Sequence, residues 1–383
     1  MSEIKVNSIK GVGATNAAIT VNNSDGTCTA NITNNLSNRN KVINGSMIVS
    51  QRNGTSAVTT LNAYNIDRWQ IAASGNPGAY SFSQSTDSPD GFANSFKIDV
   101  TTADTSLGST DIHVFRQMIE GQNIQDFAKG TSSAKKFTLS FYVKTNKTGT
   151  YIVNLTDADN SRECSASYIV SNTNWNRYTI SFPADTTGAF DNDNNVSLRV
   201  LFALLAGSSF QSGTLSTSWA AQADANRYVG QVNLADNTSN EWLITGVQLE
   251  VGSVATDFEH RSFGQELALC QRYFYNYMPA GNANRNIGIG CYTGGGNQYE
   301  LSIRHPVVMR DTPTYEEVGG TDFFANFGNT GGNGIVTYSG FSADQLMNIS
   351  TGLFTTNAGT HGGKATRARL NNASASMAFD AEL

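Results

Sequence analysis

The sequence predicts an all-β chain whose body is an antiparallel, jelly-roll-like sandwich, and three observations carry that prediction. Short runs alternate apolar and polar residues with period two, the pattern of a strand with one buried face. Phe137-Thr138-Leu139-Ser140-Phe141-Tyr142-Val143 is the clearest of them. Turn chemistry such as Thr145-Asn146-Lys147-Thr148-Gly149 separates these runs with no helical pattern between them. Composition is the third observation: 39% of the 383 residues are hydrophobic, with 20 Phe and 14 Tyr, yet only 15% are charged, against ~25% in an average globular chain. Asn, Ser, Thr and Gly replace the missing charge, giving a neutral polar surface suited to packing on sister subunits or to hydrogen-bonding sugars.

In chain order, residues 1–40 form a first unit with short runs at Ile4–Ile9 and Ala17–Val21 and a polar stretch from Thr27 to Asn40. Too little apolar mass lies there to close a core, so the segment is expected to attach to a neighbour or to oligomerise. Residues 41–261 form the sandwich. Beyond the run at 137–143, its strands include Ser95–Val100, Tyr151–Leu155, Trp175–Phe182 and Val196–Phe202, the last turning wholly apolar as a central strand does. A connecting helix is predicted at about 262–275. Ser262 followed by Gln265 reads as a capping box, and Phe263, Leu267, Cys270 and Phe274 recur at helical spacing. Residues 276–383 read as a small C-terminal antiparallel β domain, distal in position, divided by Gly294-Gly295-Gly296, Gly319-Gly320 and Gly331-Gly332-Asn333-Gly334.

Several function classes are disfavoured. Net charge is −6 and no basic run exists, whereas nucleic-acid binding relies on Lys and Arg at the phosphates. No stretch of ~18 apolar residues is present to insert in a membrane, and Met1–Val6 lacks the apolar core of a secretory signal. Synthesis in the cytosol, with release by a route that needs no signal, is the expectation. Cys28, Cys164, Cys270 and Cys291 are scattered, without zinc or disulfide spacing. No cofactor is expected.

Residues 244–253, Ile-Thr-Gly-Val-Gln-Leu-Glu-Val-Gly-Ser, continue into Ala255-Thr256-Asp257-Phe258-Glu259-His260-Arg261-Ser262 and then Glu266–Phe274. With Val42–Met47, Gln51-Arg52, Asp67-Arg68-Trp69 and Phe141–Lys144, this run resembles a module of bacteriophage virion proteins described as tail-fibre or carbohydrate-binding-like. The resemblance spans roughly residues 41–275 and departs at Asp257, where the family pattern has proline. Residues 304–310, Arg-His-Pro-Val-Val-Met-Arg, match more loosely. The resemblance implies a tail-fibre-like structural appendage of a virion, homotrimeric, docked to other virion proteins through residues 1–40 and attached to a host-surface glycan. A capsid decoration or head-fibre protein of the same fold is one alternative, and a polysaccharide depolymerase another.

Catalysis finds little support in the sequence. Glycoside hydrolysis needs carboxylates facing each other across the scissile bond, but Asp157/Asp159, Asp191/Asp193 and Glu316/Glu317 all read as turn residues. None of His113, His260, His305 and His361 stands in a nucleophile motif. Asp191–Asn195 begins like a calcium loop, yet Val196 and Phe202 stand where Gly and Glu are required, so no metal site is expected. A non-enzymatic, adhesive chain is the reading. Sugar binding needs an exposed ring with amides or carboxylates beside it. Trp219 in a loop, and Tyr292, Tyr299, Phe323 and Phe324 near Gly-rich turns, are the candidates. Glu259, His260, Arg261, Ser262 and Gln265 read as a structural cluster at the sandwich–helix junction.

Overall fold

The computed structural model describes residues 6–9, 12, 19–21, 24, 28–30, 37–75, 77–281, 285–293, 298–318, 323–326, 333–341, 347, 349–356, 365–370 and 373–383. Three short strands come first, β1 (Ser8–Ile9), β2 (Ile19–Val21) and β3 (Cys28–Ala30), paired antiparallel with one another in a small sheet.

The body is a sandwich of two antiparallel sheets. Its strands are β4 (Ala63–Ile66), β5 (Trp69–Ser74), β6 (Ala79–Ser85), β7 (Ser95–Thr102), β8 (Ile112–Glu120) and β9 (Phe137–Thr145). They continue as β10 (Gly149–Asp157), β11 (Arg162–Val170), β12 (Asn176–Phe182), β13 (Val196–Ala206), β14 (Ala220–Ala221) and β15 (Glu241–Val251). One sheet has seven strands in the order β14-β11-β10-β13-β8-β5-β4, and the other five in the order β12-β9-β15-β7-β6. The alternation read at Phe137–Val143 places Phe137, Leu139, Phe141 and Val143 in the core, all fully buried. Between the sheets, Trp69 stacks on Phe115 at 4.6 Å and Phe115 on Phe96 at 4.8 Å, while Trp242 meets Phe115 edge-on. Each such ring contributes on the order of 1.5–3 kcal/mol by leaving water. The seven-stranded sheet is also covered on part of its outer face. Phe210, Leu215 and Tyr228, from the loop between β13 and β15, pack there on Ile152, Leu201 and Ala203.

Helix α1 (Phe263–Gln271) carries the capping box: the Ser262 hydroxyl accepts from the Gln265 backbone N–H while the Gln265 side chain accepts from Ser262 N–H. Ser262→Ala should lower stability by about 1 kcal/mol, which chemical denaturation would measure. The helix is shorter than the 262–275 expected. Phe274 and Tyr275 lie instead in β16 (Phe274–Met278), because that segment pairs with the chain's far end, Phe274 opposite Asp380 and Tyr275 opposite Phe379. The anticipated apolar stripe is also incomplete: Phe263 is 58% exposed, and the helix buries Cys270 together with Glu266.

The last part of the chain contains β17 (Arg285–Thr293), β18 (Gln298–Arg304), β19 (Thr314–Val318), β20 (Phe323–Asn326), β21 (Asn333–Phe341), β22 (Ile349–Thr356), β23 (Ala365–Leu370) and β24 (Ser376–Asp380). Among the described residues, β17-β18-β22-β21-β20-β23 close into a barrel and β16-β24-β19 form a separate three-stranded sheet. A small core of Ile287, Leu301, Ile303, Met309, Met377 and Phe379 joins the two.

The sandwich and the three-stranded sheet are bound by arginines. Arg68 is 1% exposed, donates to Glu382 and to Met118 O, and lies 3.4 Å over the Tyr273 ring. Arg310 donates to Ala381 O, Glu382 O and Asn194 O. Cys164 and Cys270 are buried free thiols; the side chains of Cys28 and Cys291 lie outside the described residues, as do the Gly-rich turns at 294–296, 319–320 and 331–332, and His361.

Candidate functional site

A cleft of about 590 Å³ opens where β4 and the turn before it face the sheet of β16, β24 and β19, a size within the range of small-molecule sites, ~300–1,000 Å³. Its floor is braced from behind by Gln51, which bonds the lining residues Phe274 and Asn276. The Gln51 amide donates to Asp67 and to Phe274 O, and its backbone N–H donates to the Asp67 carboxylate at 2.6 Å. Burial is the main reason the Asp67 carboxyl sits above the usual carboxylate range, Arg52 acting against it. From that floor the Arg52 guanidinium reaches over the Phe274 ring at 3.6 Å and the Tyr64 ring at 5.3 Å and ion-pairs with Asp380 at 2.7 Å.

Two amide side chains in the cleft are half-used. Asn65 donates its amide N–H to Thr60 O, and Asn276 donates to Gln51 O. Their side-chain oxygens are buried and have no hydrogen-bond partner. A buried acceptor left unpaired costs about 1–3 kcal/mol, a cost relieved when either side chain turns its oxygen toward the cleft. Glu316 and Asp380 stand diagonally on neighbouring strands, since Glu316 is opposite Ala378 and Thr314 opposite Asp380. Desolvation first, and then the Asp380 charge, raise the Glu316 carboxyl above its ordinary range. Asp380 is held differently: it pairs with Arg52 and accepts from Glu382 N–H.

The residues singled out from sequence fall elsewhere. Trp219 is not an open platform. Its ring packs edge-on against Phe137 at 5.7 Å, its indole N–H donates to Pro183 O, and it adjoins the sandwich core. A loop without periodicity hides such burial, because the ring reaches the core through a tertiary contact. Tyr292 and Tyr299 are cross-strand partners of β17 and β18, and Phe323 and Phe324 lie in β20; the side chains of all four lie outside the described residues. At the junction, Glu259 accepts from Asn38 N–H and Asn40 N–H. Arg261 donates to Asn40 O and Val42 O, and exposed His260 contacts the Phe92 and Phe258 rings. These contacts clamp residues 38–42 onto the end of the sandwich.

Asp157 differs from its sequence reading as a turn residue. It is fully buried against Lys129 at 2.5 Å. Asp193 bonds within its own loop, to Asn195. Among the described residues no group of three or more His, Cys, Asp or Glu is placed to hold a metal ion. Within the cleft, Arg52 and Phe274 belong to runs that carry the resemblance, and Glu316, read from sequence as a turn residue, lies in strand β19. The adjacent pair Tyr64 and Asn65, then Asn276, then Asp380 come from three widely separated parts of the sequence and share no motif.

No family model matches the chain, and no curated protein matches it significantly. Solved structures similar to it include a family 11 carbohydrate-binding module from Clostridium thermocellum in complex with a β-1,3-1,4-mixed-linked tetrasaccharide, at 10% identity and a TM-score of 0.27, covering 53% of this chain and 98% of that one. The CBM22-1 xylan-binding domain of Paenibacillus barcinonensis Xyn10C is similar at 10% identity and a TM-score of 0.28, covering 57% and 99%.

Proposed function

We propose that the chain is a non-enzymatic, tail-fibre-like appendage of a bacteriophage virion that binds a glycan of the host surface in the cleft at β4, β16 and β19. One observation carries the binding reading: the Asn53, Asn65 and Asn276 amides, the Tyr64 ring, Arg52 and the Glu316 and Asp380 carboxylates line one cleft, the donor, acceptor and ring set that sugar hydroxyls and ring faces satisfy. The virion assignment rests on the run at 244–274 and its companions. In that setting residues 1–40 dock to a neighbouring virion protein and the chain acts as a trimer, so that several weak contacts sum to firm attachment.

A glycan array followed by calorimetric titration tests the binding. Asn65→Ala and Asn276→Ala should each weaken the best ligand about tenfold, the equivalent of ~1.4 kcal/mol. Trp219→Phe should leave affinity unchanged. Wild-type protein that retains no glycan, or cleft variants that bind as well as wild type, would refute the reading.

A second reading has one observation in its favour. Glu316, raised above its ordinary range beside charged Asp380, resembles an acid paired with a carboxylate. A depolymerase would release reducing ends from host capsule or lipopolysaccharide and lose that activity in Glu316→Gln. The adhesive reading expects no release from either protein.

A further inference from the structure

Beside the cleft, the outer face of the seven-stranded sheet carries a cationic strip. Strand pairing sets Tyr64 opposite Gln70, Gln70 opposite Arg116, and Arg116 opposite Leu201. One step along the same face, Arg199 lies between Met118 and Thr156. Arg116 and Arg199 are therefore diagonal neighbours on adjacent strands. Tyr64 also lines the cleft, so the strip begins where the cleft ends, with Arg116 two strand spacings away, ~10 Å.

These two guanidinium groups are provided for differently from three other arginines of the sandwich. Arg162 has Asp185, Arg227 has Glu163 and Asp224, and Arg68 has Glu382. Among the described residues, no carboxylate lies within ion-pair distance of Arg116 or Arg199. Arg116 donates through Nε and one Nη to the neutral Gln70 Oε1. The Arg199 side chain makes no hydrogen bond to a described residue, and its Nε is buried without a partner. Burial and the neighbouring Arg199 charge hold Arg116 below its ordinary range, and burial and Arg227 do the same to Arg199 against a weaker raising effect of Asp159. On a chain of net charge −6, two half-buried, uncompensated cations side by side are costly for the fold and favourable for an anion.

We propose that Arg116 and Arg199 form an oxyanion subsite that takes a carboxylate or sulfate group, and that this group is carried by the glycan whose neutral part occupies the cleft. The ligand class is then an acidic polysaccharide. This assignment of class rests on the glycan reading of the cleft; the oxyanion site itself does not. A planar guanidinium bonds a carboxylate or sulfate through two parallel N–H groups, and an anion between the two arginines removes their mutual repulsion.

The test is calorimetric titration of the full chain with four probes: a uronate oligosaccharide, a sulfated neutral oligosaccharide, its unsulfated counterpart and inorganic sulfate. Acidic oligosaccharides should bind at least tenfold more tightly than the neutral one. That advantage should vanish in Arg199→Gln and Arg116→Gln and shrink on raising salt, while Arg199→Lys keeps part of it. Since the Arg199 side chain makes no hydrogen bond to a described residue, Arg199→Gln should melt no lower than wild type. Equal affinity for acidic and neutral oligosaccharides, unchanged by the arginine variants, overturns the subsite and leaves the cleft reading intact. Inorganic sulfate that raises the melting temperature of wild type but not of Arg199→Gln, with no oligosaccharide bound, sustains the subsite and overturns its glycan source. Binding of none of the four probes overturns both.

Discussion

Replacing Lys129 by Met should lower the unfolding free energy by about 3–5 kcal/mol, the usual cost of removing one partner of a buried ion pair. The Lys129 ammonium is 3% exposed as a residue and its side chain is fully buried. Oxygens surround it: Asp157 at 2.5 Å, Asp185 at 3.1 Å, Thr187 O at 3.0 Å and Gly188 O at 2.7 Å. The rings of Phe190 and Trp219 close the cage, each 5.2 Å from Nζ. Met matches the stem but leaves two carboxylates and two carbonyls facing an apolar group. Asp185 keeps Arg162 at 2.8 Å and Asp157 keeps Asn160, so the protein still folds at reduced stability. Urea denaturation at neutral pH reads the difference. The double variant Lys129→Met with Asp157→Leu should recover a large part of the loss, because no unpaired charge then remains at the centre. A single variant within 1 kcal/mol of wild type, measured against a two-state baseline, would show that water reaches the cage.

Acidification should destabilise the fold between about pH 6.5 and 4 through two histidines. Burial lowers His113 to about 4, against a weaker raising effect of Asp111, and burial lowers His305 to about 4. His113 is 1% exposed with neither ring nitrogen hydrogen-bonded, and its ring lies 4.9 Å from Tyr80. His305 is 4% exposed, hydrogen-bonds Ser350 Oγ at 2.9 Å and sits against Phe379. Unfolded histidine titrates near ~6.5. Between that value and 4 the unfolded chain holds the extra protons, so stability is complete above the unfolded value and lost as pH falls toward the folded one. Each histidine accounts for about 1.4 kcal/mol per pH unit in that window, or roughly 3 kcal/mol across it. Asp67 and Glu316 are raised and act in the opposite sense, whereas Asp87, Glu120 and Asp185 are lowered and add their loss at more acid pH. His113→Leu and His305→Leu isolate the histidine part: each should flatten the stability–pH curve by about one proton. Parallel curves for wild type and both variants would contradict neutral burial.

The strands were legible in the chain itself, for a physical reason: period-two alternation is a property of neighbouring residues. Phe137–Val143 declares which side chains face the core, although its polar partners Thr138 and Ser140 are buried as well, Val196–Phe202 declares a strand buried on both faces, and Ser262 with Gln265 declares a helix start within four positions. Other features arise from pairs far apart in sequence, where no local pattern can announce them. Phe274 and Tyr275 continue a helical stripe on paper but form a strand because Asp380 and Phe379 come to lie beside them. Trp219 reads as loop and ends against Phe137, and Asp157 reads as turn and ends on Lys129. The cleft is the fullest case, since Arg52, Asn65, Asn276 and Asp380 meet only once β16 and β24 have docked on the sandwich. Alternation decides which side chains of a strand face the core; the closing of distant segments decides whether the other face stays wet and which polar atoms are left together without partners.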